Sequence, residues 1–181
     1  MEEDLEILFD EEDIARKVGE LAAEISRDHA GKEFILVCVL KGAALFTADL
    51  ARRLTVPAKL AFVQAASYGG GTASSGAVTV MKDIDLDIEG KHVVIVDGIL
   101  DSGRTLDHLI RRYRERKPAS LKIAVLLDKQ SRRAVEVPVD YRGFEIPDKF
   151  VVGYGMDAAE QYRNLPYVAF VRMDDDPDSA G

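Results

Sequence analysis

The order of apolar and polar residues along the chain predicts alternating helices and strands. Residues 11–28 repeat apolar side chains at helical spacing on one face, and further helices are predicted over 44–54 and 102–116. The continuous apolar run FILVCVL at 34–40 is typical of a strand buried on both faces. Other apolar runs predict strands at residues 59–66, 77–82, 92–97, 121–129, 139–146, 149–154 and 167–171. This alternation predicts an α/β fold with a mainly parallel central sheet flanked by helices.

Three polar segments interrupt this alternation. The stretch SYGGGTASSG at 67–76 predicts a mobile loop, because glycine and hydroxyl residues dominate it. The acidic run DIDLDIE at 83–89 predicts a turn or a half-exposed edge strand. The acidic tail, residues 174–181, is expected to be disordered. No linker or repeat divides the chain, so a single domain over 1–181 is predicted.

Composition narrows the class of protein. A length of 181 residues suits one domain with a sizeable core, and the net charge of −8 disfavours sequence-independent nucleic-acid binding. The single cysteine, Cys38, lies in an apolar run and is predicted to be a small core residue. The acidic N-terminus lacks the apolar region of a signal peptide, and no apolar run is long enough to span a membrane. A cytoplasmic protein without membrane or nucleic-acid partners is therefore the default expectation.

The segment VVIVDGILDSGRTL, residues 93–106, carries the clearest chemical signal. A strand, a short loop and a helix start in succession present backbone N–H groups and a helix N-terminus to an anion. Gly103 permits a backbone conformation closed to other residues, while Ser102 and Thr105 add hydroxyl donors. The pattern fits a phosphate monoester. The alternative is that these residues only cap a helix, with an Asp or Ser as the N-cap.

Two carboxylates at the same place favour a ligand over a simple cap. Asp97 and Asp101 would repel a phosphate placed directly against them. They fit the uncharged hydroxyls of a sugar, or a metal ion. A phosphorylated sugar satisfies both parts of the motif.

At this point the sequence resembles a known family. The segment 93–106 is similar to the phosphoribosyl-pyrophosphate signature of type I phosphoribosyltransferases. Other segments resemble the hypoxanthine-guanine enzymes of this family. Their pyrophosphate loop is similar to VLKGAALFTADLARR, and their mobile lid is similar to SYGGGTASSG. Their purine-binding segments are similar to LLDK and GFEIPDKFVVGYGMDAAEQYRNLPYV. The similarity covers roughly residues 5–171. It implies the type I phosphoribosyltransferase fold with a small hood subdomain.

The resemblance also implies roles at the sugar and pyrophosphate end of a site. Lys41 and Gly42, in a loop that often holds a cis peptide, would bind pyrophosphate together with Arg163. Asp97 would contact the ribose hydroxyls directly or through Mg²⁺, the implied cofactor, which Asp157 would also reach. The 5′-phosphate would be held by Ser102, Gly103, Arg104 and Thr105.

Further roles concern the base and the closure of the site. Asp101 would be the acid/base partner of purine N7, and Lys129 would donate to the 6-oxo group. Phe150 would stack on the purine, and the Val151 backbone would bond its edge. Ser67 and Tyr68 would be the first residues of the lid, which would close over the site. The implied reaction transfers phosphoribosyl from phosphoribosyl pyrophosphate to hypoxanthine and guanine, in a homodimer or homotetramer.

Several of these residues also have plain structural interpretations. Lys129 could be a solvated lysine at a strand end, Phe150 a core residue and Asp157 a helix N-cap. The segment GYGMDA after a strand has the G-x-G-x-x-A shape of a dinucleotide fingerprint, although too little chain follows it for a complete unit.

Gly98 departs from the family pattern, which usually has two adjacent acids where this chain has Asp97 and Gly98. The protein then tolerates one acid, binds the sugar more weakly, or has lost activity. Two other functions therefore stay open: a catalytically weakened nucleotide-binding protein, and an RNA-binding regulator on the same fold.

Overall fold

The structure is a computed structural model that describes residues 5–67 and 77–172. Within them lie three α-helices and nine strands. In chain order these are β1 (Leu5–Phe9), α1 (Glu11–Asp28), β2 (Phe34–Leu40), α2 (Ala44–Arg53), β3 (Ala58–Ser67), β4 (Val78–Lys82), β5 (His92–Leu100), α3 (Arg104–Arg114), β6 (Ser120–Asp128), β7 (Tyr141–Glu145), β8 (Val151–Val152) and β9 (Val168–Val171). Every helix and strand predicted from the apolar pattern is present.

The central sheet has six strands in the order β4-β3-β2-β5-β6-β7. All neighbouring pairs are parallel except β3 and β4, which are antiparallel. The predicted α/β class and mainly parallel sheet are thereby confirmed. The parallel strands β2, β5 and β6 all end on the same side of the sheet. The residues that follow them, 41, 101 and 129, therefore lie on one side of the molecule.

Helices cover both faces of this sheet. On one face α1 and α2 pack Val18 and Phe46 against Phe34 and Leu36 of β2. On the other face the intervening β2 residues join a second core that includes Tyr113 of α3. Strand residues point alternately to opposite faces, so an apolar strand such as β2 needs a helix on each side. Cys38 is fully buried, as predicted.

A second, three-stranded sheet of order β1-β9-β8 forms the predicted hood. β1 pairs antiparallel with β9, and β8 pairs antiparallel with the other edge of β9. β1 was not predicted from the sequence, because its five residues lie in an acidic segment. In the structure its residue Ile7 is exposed. The strand forms because β9, more than 150 residues later, offers it a hydrogen-bonding edge.

Residues 83–89 form a loop, so the edge-strand interpretation of this segment is wrong. Ile84 and Ile88 are buried in the core beside α3. Asp83 accepts hydrogen bonds from Arg112 Nε at 2.9 Å and from the Tyr113 hydroxyl at 3.1 Å. These polar contacts and the two buried isoleucines secure the loop to α3.

Two predictions lie outside the described residues. They are the mobile lid, apart from the Ser67 backbone at the end of β3, and the disordered tail at 174–181. None of the helices in the described part of the chain is long and apolar enough to cross a membrane.

Candidate active site

The loop between β5 and α3 has the strand, loop and helix-start geometry on which the prediction of an anion site rests. Gly103 occupies the N-cap position with φ +84°, a left-handed conformation that favours glycine. Gly103 has no side chain that could cap α3, so apart from the Arg104 N–H, which makes a long contact to Ser102, the described residues leave the first N–H groups of the helix available to an anion. Ser102 Oγ lies 3.5 Å from the Arg104 N–H. The alternative in which Asp or Ser is the N-cap is wrong, since the cap residue is Gly103.

The two acids of this loop differ in their surroundings. Asp97 accepts a hydrogen bond from the Gly98 N–H at 2.8 Å. Burial raises the pKa of the Asp97 carboxyl to about 7, although the N–H groups of Gly98 and Ile99 act in the opposite direction. One carboxylate oxygen of Asp101, Oδ1, is buried and has no hydrogen-bond partner among the described residues. The unpartnered Oδ1 of Asp101 can therefore accept a hydrogen bond from a ligand.

The loop after β2, which resembles the family's pyrophosphate loop, contains the cis peptide that the resemblance implied, between Leu40 and Lys41. Its Gly42 carbonyl lies between two other glycines. A Cβ atom at Gly98 would be 3.0 Å from the Gly42 oxygen, and a Cβ at Gly155 would be only 2.2 Å from it. These close approaches bring the end of β5, the loop after β2 and the hood into one wall of the site. They also mean that an acid at position 98 would require the Gly42 loop to shift.

The hood contributes a charged cluster next to this loop. Arg163 donates from Nη1 to the Gly155 carbonyl at 2.7 Å, and its Nη2 lies 2.9 Å from Asp157 Oδ1. Glu160 Oε2 accepts from Lys41 Nζ at 3.1 Å and from Arg163 Nη2 at 3.4 Å. One carboxylate thus contacts both of the cations predicted to bind pyrophosphate.

Asp157 lies in a turn and not at the start of a helix. Its Oδ2 accepts from the Glu160 N–H at 2.8 Å. Ala159, Glu160 and Tyr162 have positive φ values of 50°, 65° and 72°. Backbone strain of this kind is commonly found at functional sites. The helix N-cap interpretation of Asp157 is therefore wrong, because the described chain after β8 forms turns.

The same turns exclude the dinucleotide fingerprint. Gly153 and Gly155 lie in a turn after the two-residue strand β8, and the described chain that follows them contains β9 and no helix. A dinucleotide site needs a helix N-terminus directly after the glycine motif.

Of the residues predicted to bind the purine, Lys129 is buried and Phe150 is exposed. Lys129 is only 4% exposed, so it is not a solvated lysine, and its Nζ lies 4.0 Å from Asp148 Oδ1. Phe150 is 45% exposed, so it is not a core residue. The next residue, Val151, is buried in β8 and pairs with Phe170.

The parallel pairing of β5 and β6 brings the acid and the lysine together. Leu100 pairs with Asp128, and the Lys129 N–H donates to the Leu100 carbonyl at 2.9 Å. The following residues, Asp101 and Lys129, therefore leave neighbouring strands side by side, about 5 Å apart in backbone position.

The described residues contain no cluster of three or more His, Cys, Asp or Glu side chains that could hold a metal ion alone. Asp97 and Asp157 could each supply one ligand. The half-buried carboxylate of Asp97 has no cationic partner in the described part of the chain, so it could join a divalent cation that takes its other oxygens from a phosphorylated substrate and water.

Sequence reasoning missed two residues of this region, Arg133 and Glu160. Both contact predicted site residues through their side chains. The run LLDKQSRRAV placed an acid and two arginines beside Lys129, and Glu160 lies within the hood segment that resembled the family. No spacing rule connects Glu160 to Lys41, because 119 positions separate them.

Comparisons with known proteins agree with this geometry. Residues 4–159 match the family model described as a phosphoribosyl transferase domain. The chain is 44% identical over 173 residues to the hypoxanthine-guanine phosphoribosyltransferase of Bacillus subtilis (strain 168), covering 95% of this chain and 96% of that protein. A hypoxanthine-guanine phosphoribosyltransferase from Streptococcus thermophilus (strain CNRZ 1066) is 45% identical, and the match covers 95% of this chain and 96% of that protein.

Solved structures give the same result. A crystal structure of a hypoxanthine phosphoribosyltransferase from Staphylococcus aureus matches with a TM-score of 0.91 and 43% identity, over 95% of this chain and 94% of that chain. A hypoxanthine-guanine phosphoribosyltransferase from Bacillus anthracis matches with a TM-score of 0.87 and 47% identity, over 92% of this chain and 98% of that chain.

Proposed function

Because this chain belongs to the phosphoribosyl transferase family, we propose that it is a purine-salvage transferase that acts on 6-oxopurines. It transfers the 5-phosphoribosyl group of phosphoribosyl pyrophosphate to N9 of hypoxanthine and of guanine. The N9–C1 bond forms as the bond between C1 and the pyrophosphate oxygen breaks. The products are the purine 5′-monophosphate and pyrophosphate.

One observation carries the choice of base: Asp101 and Lys129 leave adjacent parallel strands, linked through the Leu100 carbonyl. N7 and the 6-oxo group lie on the same edge of a purine, so one acid and one donor side by side match that edge. The ammonium of Lys129 can donate but cannot accept, so it pairs with an oxo group and not with the amino group of adenine. The buried, unpartnered Oδ1 of Asp101 can take the N7 proton as N9 attacks.

The other end of the site binds the phosphates. The N-terminus of α3 with Gly103 holds the 5′-phosphate, which Ser102, Arg104 and Thr105 also contact. Lys41 and Arg163 stabilise the negative charge that develops on the departing pyrophosphate. Asp97 contacts the ribose hydroxyls. The lid that begins at Ser67 and Tyr68 closes to exclude water from the activated sugar.

Mg²⁺ would be held by Asp97 and Asp157 together with substrate oxygens, and its chemistry is to neutralise charge on the pyrophosphate. With Gly98 in place of a second acid, Asp97 alone supplies a carboxylate at the ribose. One hydrogen bond to a charged group is worth about 1.5–3 kcal/mol, so we expect sugar binding weakened by about tenfold to a hundredfold but not abolished. We also propose a homodimer or homotetramer, as the resemblance implies.

A spectrophotometric assay tests this function. Hypoxanthine, guanine, xanthine and adenine are each supplied with phosphoribosyl pyrophosphate and Mg²⁺, with the wild type, Asp101→Asn and the control Asp107→Asn. Asp107 lies in the first turn of α3, and its carboxylate pairs with Arg111 Nε at 3.0 Å. We expect turnover of 6-oxopurines and not of adenine, loss in Asp101→Asn, and activity near wild type in Asp107→Asn.

Other results would support the alternatives. Binding of nucleotide without turnover would indicate a catalytically weakened relative, and retardation of RNA in a gel-shift assay would indicate a regulator. Turnover that persists after chelation of Mg²⁺ would contradict the role given to the cation.

A further inference from the structure

The side chain of Arg133 connects two strand ends of the site. It lies just after a short 3₁₀ turn, Gln130–Arg132, and is 9% exposed. Its Nε donates to the Asp101 carbonyl at 3.2 Å, and its Nη2 donates to the carboxylate of Asp128. A single guanidinium therefore contacts the backbone of the proposed acid/base residue and the residue that precedes Lys129.

The carboxylate of Asp128 lies in a buried position that requires a cationic partner. Its side chain is fully buried at the end of β6, and an unpaired buried carboxylate is strongly unfavourable. A second arginine, Arg142, approaches it with Nε 2.7 Å from Oδ2, but the Arg142 side chain is 45% exposed. Both arginines neutralise Asp128, whereas the contact to Asp101 belongs to Arg133.

The residues after Arg133 also contact the loop between β5 and α3. The N–H groups of Ala134 and Val135 both donate to the Ser102 carbonyl, at 2.9 and 3.1 Å. A Cβ at Gly103 would lie 2.3 Å from the Val135 carbonyl oxygen, so the two backbones are in close contact. Residues 133–135 thus contact three consecutive residues, Asp101 to Gly103. The Asp101 carboxylate oxygen Oδ1 takes no part in these contacts.

We propose that Arg133 is a positioning residue for phosphoribosyl transfer. It holds the backbone of Asp101 at a set distance from the strand end that carries Lys129, so the acid and the donor meet one purine edge together. The inference rests on the proposed function. Guanidinium geometry matters here, since Nε and Nη2 donate in two fixed directions within one plane. A lysine would keep the charge beside Asp128, but its single nitrogen cannot occupy the positions of both Nε and Nη2 and so would lose the contact to the Asp101 carbonyl.

The experiment compares Arg133→Lys and Arg133→Met with the matched control Arg142→Met. Steady-state kcat and KM for hypoxanthine and phosphoribosyl pyrophosphate are measured, together with thermal unfolding. We expect both Arg133 variants to lower kcat by about 10–100-fold, because a displacement of about 1 Å at a reacting group has this effect. The KM for phosphoribosyl pyrophosphate should change less than about threefold, and Arg142→Met should keep kcat near wild type.

A double variant separates positioning from charge neutralisation. If Arg133 only neutralises Asp128, then Asp128→Asn combined with Arg133→Met will restore kcat. If Arg133 positions Asp101, kcat stays low in the double variant although its thermal stability recovers. Restored kcat, or equal kcat losses in Arg133→Met and Arg142→Met, would overturn the positioning role. A wild-type enzyme without turnover on any 6-oxopurine would instead refute the proposed function, and the positioning role with it.

Discussion

The two glycines that lie against the Gly42 carbonyl, Gly98 and Gly155, allow a quantitative prediction. Replacing Gly155 by alanine places a Cβ 2.2 Å from the Gly42 oxygen, at a residue with φ +99°. Replacing Gly98 by alanine places a Cβ 3.0 Å from the same oxygen and 3.4 Å from Met156 Sδ. The two variants add the same methyl group against the same carbonyl. They differ in backbone strain and in the displacement that Gly42 must make.

The expected losses of stability follow from these distances. An unfavourable φ costs about 1–3 kcal/mol and forced overpacking about 1–3 kcal/mol, so Gly155→Ala should lose about 2–6 kcal/mol. In a chain of this size that lowers Tm by roughly 5–20 °C. Gly98→Ala requires a shift of only a few tenths of an ångström, and we expect a loss of about 1 kcal/mol or less.

Thermal unfolding and the KM for phosphoribosyl pyrophosphate test these values. Gly155→Ala should raise that KM by about tenfold or more, because Gly42 must move by about 1 Å, and Gly98→Ala should raise it less than about threefold. Gly19→Ala is the control, because no atom lies within 4 Å of the added methyl group in α1. It should leave activity unchanged and stabilise the helix by up to about 1 kcal/mol. Equal Tm values and equal KM values for the Gly155 and Gly98 variants would refute the reasoning.

Three further predictions concern charged residues. Lys129→Met should raise the KM for hypoxanthine by about 10–100-fold, because it removes a charged donor worth about 1.5–3 kcal/mol. A similar rise in the KM for phosphoribosyl pyrophosphate would contradict the assignment of Lys129 to the purine base. Glu160→Gln should strengthen inhibition by pyrophosphate by about two- to fivefold, because the exposed carboxylate no longer competes with pyrophosphate for Lys41. Unchanged inhibition would contradict this. Hydrogen bonds from Lys122 and Tyr141 lower the pKa of Asp28, so Asp28→Asn should lose about 1–3 kcal/mol in urea unfolding at pH 7. The difference in stability between wild type and variant should shrink as the pH falls below about 4. A carboxyl whose pKa is lowered in the folded state contributes its full stability above its unfolded pKa, and this stability is lost as the pH falls through the folded pKa. A constant difference in stability would contradict this prediction.

The sequence was sufficient for the predictions that depend on local order. Helix α1 begins and ends at the predicted residues, 11 and 28, because helical periodicity and the N-cap at Asp10 act within a few positions. Strand β2 likewise matches residues 34–40, since a continuous apolar run needs cover on both faces. The motif at 93–106 indicated a phosphorylated sugar, and the comparisons confirm the family and the fold class that it suggested.

Boundaries were less predictable where tertiary contacts decide them. β5 runs three residues beyond its predicted end, through Gly98 to Leu100, because Leu100 and Ile99 pair with β6. The run at 83–89 alternates like an edge strand, yet Asp83 and the buried isoleucines attach it to α3 as a loop. In both cases the deciding partner lies about 30 residues away in the chain.

The sequence by itself determined the α/β class and the strand, loop and helix order of residues 93–106, whose residue types suit a phosphorylated sugar, because periodicity and motif spacing are local properties. Only the tertiary structure decided that β1 joins the hood, that Glu160 contacts both Lys41 and Arg163, and that Arg133 connects Asp101 to Asp128. These contacts join residues brought together by strand order and chain crossings. Their energies depend on distance and burial in three dimensions, which separation along the chain does not specify.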